Sequence, residues 1–370
     1  MSKALKINKG IEEGITDLLE SLLQSEKIKG VFTLKKMNED GAVAYSLISS
    51  PEELKKAVPL YPFMPVNAGS VLSSFTLREA TEEPIAAVLR PCELRAFIEL
   101  VKRAQSSLEN ILLISLTCGG VYPLESLKNG DLKSHRSSYW EKVKMAEIDP
   151  KTRVTCQTCE EFVPQLSDMT VAAVGMKDMD KECFILLNTP KGEEYAANAP
   201  GNTVSETAAN GSIEKLQKSR EENKSKLFED FSSEHVDPKA LIKTFAACLG
   251  CHACSHACPI CFCTLCDFES KPVEYQPQSF LSELGGKNGI KVPPGNLFFH
   301  LGRMTHMAVS CVSCGMCSDV CPVNIPVSTV FSRVGDSLQK VFSYLPGRDV
   351  EEPVPSGTYK EEEFSEVGEQ

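Results

Sequence analysis

The chain has 370 residues, 16 cysteines and a formal net charge of −11. It is long enough for two or three cored domains, and its acidity argues against a nucleic-acid surface, which needs a basic footprint. No run of about 18 apolar residues suggests a membrane span. So many cysteines without a secretory leader point to a reducing compartment, so a soluble, cytoplasmic protein with no membrane insertion is expected.

Ile11, Ile15, Leu18, Leu19, Leu22 and Leu23 recur at the helical period and predict an amphipathic helix over residues 10–25. Strands are expected over residues 31–34 and 42–48, around a polar turn ending in Gly41. An ordered, Pro-rich loop is expected from residue 59 to 69. Residues 85–89 read as a buried strand, 93–104 as a helix and 111–116 as a second buried strand. That is a βαβ unit, so the strands should be parallel and adjacent with a right-handed crossover. Cys92 stands at the start of its helix and Cys118 just beyond its second strand. Both therefore fall on the sheet edge where open α/β sheets bind ligands, and should be neighbours. A polar stretch containing Trp140 leads to the C-x2-C pair Cys156 and Cys159, and strands are expected over 171–174 and 184–187. Cys183 begins the latter and reads as core. Residues 213–230 are helical but poor in apolar side chains, which suits a solvated connector.

The C-terminal half carries one cysteine string twice. Cys248, Cys251, Cys254 and Cys258 precede Pro259; Cys311, Cys314, Cys317 and Cys321 precede Pro322. Each copy is C-x2-C-x2-C-x3-C-P, the run that wraps a 4Fe–4S cubane, with the fourth cysteine serving the other cluster in two-cluster ferredoxins. Crossing the fourth ligands gives one cluster on Cys248, Cys251, Cys254 and Cys321 and another on Cys311, Cys314, Cys317 and Cys258. Zinc is the lesser alternative, since it usually takes paired C-x2-C units. Helical patterns over 240–247 and 327–342, with a long interval between the motifs, predict an α-helical two-cluster domain. Cys261, Cys263 and Cys266 are surplus to this set; they can replace Cys258, join a further metal, or remain thiols near the cluster. His252, His256, His300 and His306 lie near the motifs and are expected to donate hydrogen bonds or pack. Cys92, Cys118, Cys156 and Cys159 form a third candidate set, two on the ligand edge of the sheet and two on one loop. The helix N-terminus at Cys92, with Arg90 and Arg95 nearby, would favour an anionic centre. A third 4Fe–4S cluster is the preferred reading there, with zinc and unligated thiols as alternatives.

The expected fold class is thus an α/β N-terminal domain with a parallel βαβ unit, plus an α-helical, ferredoxin-like two-cluster C-terminal domain. Its divisions are an α/β domain over 1–200, a charged helical connector over 201–236, the two-cluster domain over 237–345 and a disordered acidic tail over 346–370. In that tail eight Asp or Glu stand against Arg348 and Lys360.

The segments "LRPCELRAFIEL", "ISLTCGG" and "CQTCEEFVPQLSDMTVAAVG" resemble the β subunits of hydrogenases and formate dehydrogenases that use the deazaflavin coenzyme F420. "CLGCHACSHACPICFCTLC" and "HMAVSCVSCGMCSDVCPVNIP" extend the likeness to the formate dehydrogenase branch. The resemblance implies a cluster on Cys92, Cys118, Cys156 and Cys159. It also implies an FAD site where a hydride carrier's electron pair is split. The expected partners are a catalytic formate dehydrogenase or hydrogenase subunit, or heterodisulfide reductase-like subunits. The chain lacks the family's Gly-rich "GGxVTAL" segment before residue 60. In "NAGSVLSSF", Asn67, Gly69 and Ser70 are the candidate flavin contacts. No G-x-G-x-x-G or P-loop supports an NAD or ATP site, and no catalytic residue is assigned. Two functions follow: an oxidoreductase subunit, not catalytic alone unless FAD is bound, and a flavin-free adaptor with no substrate site.

Overall fold

The computed structural model describes residues 3–38, 42–127, 132–205, 210–235, 238–269, 277–287 and 295–358; Gly41 lies outside them. Eight strands among the described residues form one mixed sheet: β1 (Lys3–Ile7), β2 (Gly30–Lys36), β3 (Val43–Ile48), β4 (Ile85–Val88), β5 (Ile111–Leu116), β6 (Met169–Ala172), β7 (Cys183–Leu187) and β8 (Asn202–Val204). Their order is β3-β2-β4-β5-β6-β7-β1-β8. β2, β4, β5 and β6 run parallel, with Ile85 opposite Ile111 and Ile114 opposite Met169, whereas β3, β7, β1 and β8 pair antiparallel at the flanks.

β4, β5 and β6 read IAAV, ILLISL and MTVA and are buried along their whole length. Such unbroken apolar runs are what parallel strands covered on both faces require. Alternate residues divide between two cores, as the strand period dictates. Ala86, Val88, Leu112 and Ile114 join helix Ile11–Gln24, whose Ile15, Leu18, Leu19 and Leu22 are buried. Ile85, Ala87, Ile111 and Leu113 join Leu72 and Phe97 of helices Ala68–Thr76 and Pro91–Val101. Pro91 pre-sets the first turn of the latter helix, and the Glu93 carboxylate accepts the Arg90 backbone N–H at 2.8 Å, so the strand-to-helix turn carrying Cys92 is fixed.

The βαβ unit is present as expected, but several elements differ from the sequence reading. β1 was not foreseen: KALKI is mixed in character and becomes a strand through pairing with β7 and β8. Helix Ala68–Thr76 replaces the end of the expected loop, and helix Leu132–Met145 contains Trp140. β8 carries the sheet past residue 200. The connector is a long helix, Asn210–His235, yet Leu216 and Arg220 on it are buried.

The C-terminal part is helical, with no strand among its described residues. Helices Pro238–Thr244, Asn296–Met307 and Val327–Val341 surround a core containing Phe245, Phe299, Met304, Val330 and Phe331. It docks on the α/β part through buried polar contacts. Arg153 pairs with Asp319, and Glu99 accepts bonds from the Tyr344 hydroxyl and the Gly347 N–H. The tail was expected to be disordered from residue 346. Its first residues instead lie against helix Pro91–Val101, where Arg95 Nε donates to the Pro346 carbonyl at 2.7 Å. Residues 359–370 lie outside the described set.

Candidate metal centres

Three cavities are lined by cysteines, four of them in two cavities and five in the other. The first, at the C-terminal ends of β4 and β5, holds Cys92, Cys118, Cys156 and Cys159. The second holds Cys258, Cys311, Cys314 and Cys317, and the third Cys248, Cys251, Cys254 and Cys321. In the last two, the fourth cysteine of each motif stands with the first three of the other. Ser313 and Cys314 line both the first and the second cavity. Arg303 lines the second while its Nη1 lies 3.1 Å from Cys254 Sγ of the third. The cavities therefore stand in a row, with that of the Cys311 motif in the middle.

The two C-terminal motifs follow one backbone path. Two residues after the first cysteine come Gly250 (φ 66°) and Ser313 (φ 55°); two residues further come His252 (φ 53°) and Gly315 (φ 81°). Left-handed residues at such short intervals help turn backbone N–H groups inward and shape a concavity for an anion. The Gly250 N–H points to Cys248 Sγ at 3.4 Å and the Ile325 N–H to Cys321 Sγ at 3.3 Å. In the first cavity the Gly120 N–H makes the same contact with Cys118 Sγ at 3.4 Å.

Burial pushes the Cys159 thiol up to about 11 and the Cys314 thiol up to about 12, and raises Cys92 and Cys317 as well. Thiolates are the ligand form, so these cavities need cationic compensation, which metal supplies while protons leave. Among the described residues no three Cys, His, Asp or Glu converge closely enough for a single metal ion, whereas at least four cysteines line each wider cavity. That spacing suits a polynuclear group better than a lone zinc ion.

Buried cations mark the same places. Arg90 reaches Cys118 Sγ at 3.6 Å, and Arg220 donates to the carbonyls of Cys118 and Gly119 at 3.2 and 3.1 Å while lying over the Phe162 ring. Both line the first cavity. His300, lining the third, is stacked on Phe245 with neither ring nitrogen partnered among the described residues; the Nε atoms of Arg90, Arg220 and Arg303 likewise find no partner among them. Buried donors beside a cysteine ring, lacking protein acceptors, fit an anionic sulfide-bearing group.

The sequence reading missed Arg220 and Arg303. Arg303 had a signal: Asn296, Phe299, His300, Arg303, Met304 and Met307 are the buried positions of one helix face, so His300 and Arg303 interrupt a core stripe. Arg220 sits in a strongly polar helix and had none. The surplus cysteines divide: Cys261 packs beside the C-terminal core, whereas Cys263 is exposed. His252 pairs with Glu269 at 2.7 Å and stacks on Phe299.

The candidate flavin residues are not brought to these cavities. Asn67 is fully buried, and its side-chain oxygen caps helix Ala68–Thr76 by accepting the Gly69 N–H at 2.9 Å. A Cβ on Gly69 would lie 2.5 Å from the Glu93 carbonyl, so its small size serves helix packing. The Ser70 hydroxyl donates to the Asn67 carbonyl at 2.8 Å. A separate polar cleft, lined by Arg95, Thr155, Cys159, Lys224, Cys311 and Asp336, opens beside the first and second cavities.

Residues 82–212 match the family model for the C-terminal part of the coenzyme F420 hydrogenase/dehydrogenase β subunit, and residues 243–325 match a 4Fe-4S dicluster domain. The chain is 27% identical to the F420-dependent formate dehydrogenase subunit beta of Methanocaldococcus jannaschii, over 90% of this chain and 91% of that protein. It is 28% identical to the F420-dependent formate dehydrogenase 1 subunit beta of Methanococcus maripaludis, over 93% and 92% respectively. A chain of the F420-reducing nickel–iron hydrogenase complex from Methanosarcina barkeri superposes with a TM-score of 0.44 at 13% identity, covering 63% of this chain and 91% of that one.

Proposed function

We propose that this chain, which resembles the coenzyme F420 hydrogenase/dehydrogenase β subunits over residues 82–212, is the electron-transfer subunit of a formate dehydrogenase- or hydrogenase-type complex, with a 4Fe–4S site in each of its three cysteine cavities. The observation that carries this reading is the row of three cavities, each lined by at least four cysteines. Cys92, Cys118, Cys156 and Cys159 hold the first group, Cys258, Cys311, Cys314 and Cys317 the second, and Cys248, Cys251, Cys254 and Cys321 the third. Bound there, the clusters supply one-electron transfer.

The protein's own residues bind, charge-balance and dry these sites. Arg90 and Arg220 offset negative charge at the first cavity, and Arg303 does so at the other two. His300 offers a ring N–H to the third. Met64, Val121, Ile260 and Phe331 line the cavities and keep water out. The partner supported by the names of the relatives is a catalytic formate dehydrogenase subunit; a hydrogenase or heterodisulfide reductase-like subunit fits the same chemistry. Alone, this chain is not expected to oxidise formate or hydrogen.

A flavin-free adaptor is the second reading, favoured by the packing of Asn67 and Gly69, which are buried against the neighbouring helix. Were FAD held, the cleft between Arg95, Lys224 and Asp336 would be the better candidate. One assay on anaerobically purified protein tests both readings. We expect about twelve irons and about twelve acid-labile sulfides per chain. Iron near eight removes the first site, and stoichiometric zinc replaces it. Released FAD supports the hydride-splitting subunit; a colourless extract supports the adaptor.

A further inference from the structure

Arg303 is 3% exposed, near the middle of helix Asn296–Met307. Its Nη2 donates to the Cys254 carbonyl and its Nη1 reaches Cys254 Sγ, each at 3.1 Å, which ties it to the third cavity. The same side chain lines the second cavity with Cys258, Cys311, Cys314 and Cys317. The rings of Phe299 and Phe331 lie 5.5 and 5.0 Å from its guanidinium carbon and shut it from solvent. A buried guanidinium without a carboxylate partner is costly, so a fold that keeps one needs negative charge beside it.

We infer that Arg303 is one counter-charge shared by the two C-terminal clusters, a positioning residue that raises the reduction potentials of both together. This rests on the reading that those cavities hold clusters. Each oxidised four-thiolate cubane carries about −2 and gains one more negative charge on reduction. A fixed positive charge between two such groups favours the reduced form of each, and low dielectric makes the effect large. The first cavity has its own cations, Arg90 and Arg220, and does not touch Arg303. Its potential should therefore be independent of this residue.

The test is a redox titration of the full chain followed by paramagnetic resonance, with iron counted on every sample. In Arg303→Met, iron should stay near the wild-type count, both C-terminal clusters should shift to more negative potential, and the first should not move. Arg303→Lys keeps the charge and should restore most of the shift. Unmoved potentials with iron intact overturn the proposal, as does a shift confined to one C-terminal cluster. Iron loss in both variants also overturns it, because the side chain's shape rather than its charge would then be what the domain needs. A wild-type protein without iron in the C-terminal domain defeats the underlying reading instead, before either variant is made.

Discussion

Ser313 and Gly315 sit in the same motif with left-handed backbone, yet one has a side chain and the other cannot. A Cβ on Gly315 would lie 2.4 Å from Thr155 Oγ1, across the contact with the α/β part, whereas Ser313 lines the cavity wall. Gly315→Ala combines that clash with left-handed strain, and should cost roughly 1–3 kcal/mol. Ser313→Gly relieves strain but loosens the unfolded chain, so it should change stability by less than about 1 kcal/mol. Anaerobic urea titrations of the two variants check the pair; a Gly315→Ala loss no larger than that of Ser313→Gly would mean that neither the Thr155 contact nor left-handed strain carries the expected cost. This asymmetry was not legible in the sequence, where CVSCGMC shows only spacing. The cysteines themselves were legible, because a ligand set needs a fixed interval and a fixed residue type. Asn67, Gly69 and Ser70 stand at a helix start, where a Gly-Ser pair serves packing as readily as ligand approach.

At the scale of elements, the strongly periodic pieces were readable and the ones defined by their neighbours were not. The stripe of helix Ile11–Gln24 and the apolar runs of β4 and β5 announce themselves, since burial on a known period leaves its mark on every residue. β1 depends on β7 and β8 for its existence, and helix Asn210–His235 looked solvated because few of its residues are apolar. That helix nevertheless places one of its charges inside the protein. Arg220, 1% exposed, ties the carbonyls of Cys118, Gly119 and Cys159 together. Arg220→Leu should leave the helix formed, since leucine is as good a helix former, but leave three loop carbonyls without their shared donor. Iron should then fall from about twelve toward about eight per chain, with the C-terminal signals intact. Full iron retention would mean that the first site does not depend on the connector.

Across the whole molecule, Glu99 joins the sheet's covering helix to the far end of the chain. It is fully buried and pairs with Lys102 and Arg103 at 3.2 and 2.7 Å, while Tyr344 and Gly347 donate to it from the C-terminal segment. Burial alone would raise its pKa, but the Tyr344 hydroxyl, Arg103 and Lys102 outweigh it and hold the carboxyl below its ordinary 4.5. A depressed carboxylate contributes stability that is present above the unfolded value and lost as pH falls through the folded one. Glu99→Gln leaves Lys102, whose side chain is 2% exposed, without its buried partner, and should cost roughly 3–5 kcal/mol at pH 7. In urea titrations from pH 7 downward, the gap between wild type and E99Q should close once the wild-type carboxyl protonates. A gap that stays constant down to pH 3 would place the effect in packing rather than charge.

The crossing of fourth cysteines has a consequence for the order of biosynthesis. The third cavity begins with Cys248 and closes only with Cys321; the second takes Cys258 from early in the domain and the rest from residue 311 onward. A chain leaving the ribosome can therefore finish neither C-terminal ring until nearly the whole domain has emerged, whereas the cysteines of the first ring are complete by Cys159. Even that ring waits for Arg220 and for the wall supplied by Ser313 and Cys314. On the proposed ligand sets, loading with iron would be tied to late synthesis. A chain stalled between residues 266 and 310 would carry Cys248, Cys251, Cys254 and Cys258 together with Cys261, Cys263 and Cys266, with neither C-terminal ring closed among them. Those of them that belong to the rings stay free thiols, open to oxidation, until Cys321 emerges.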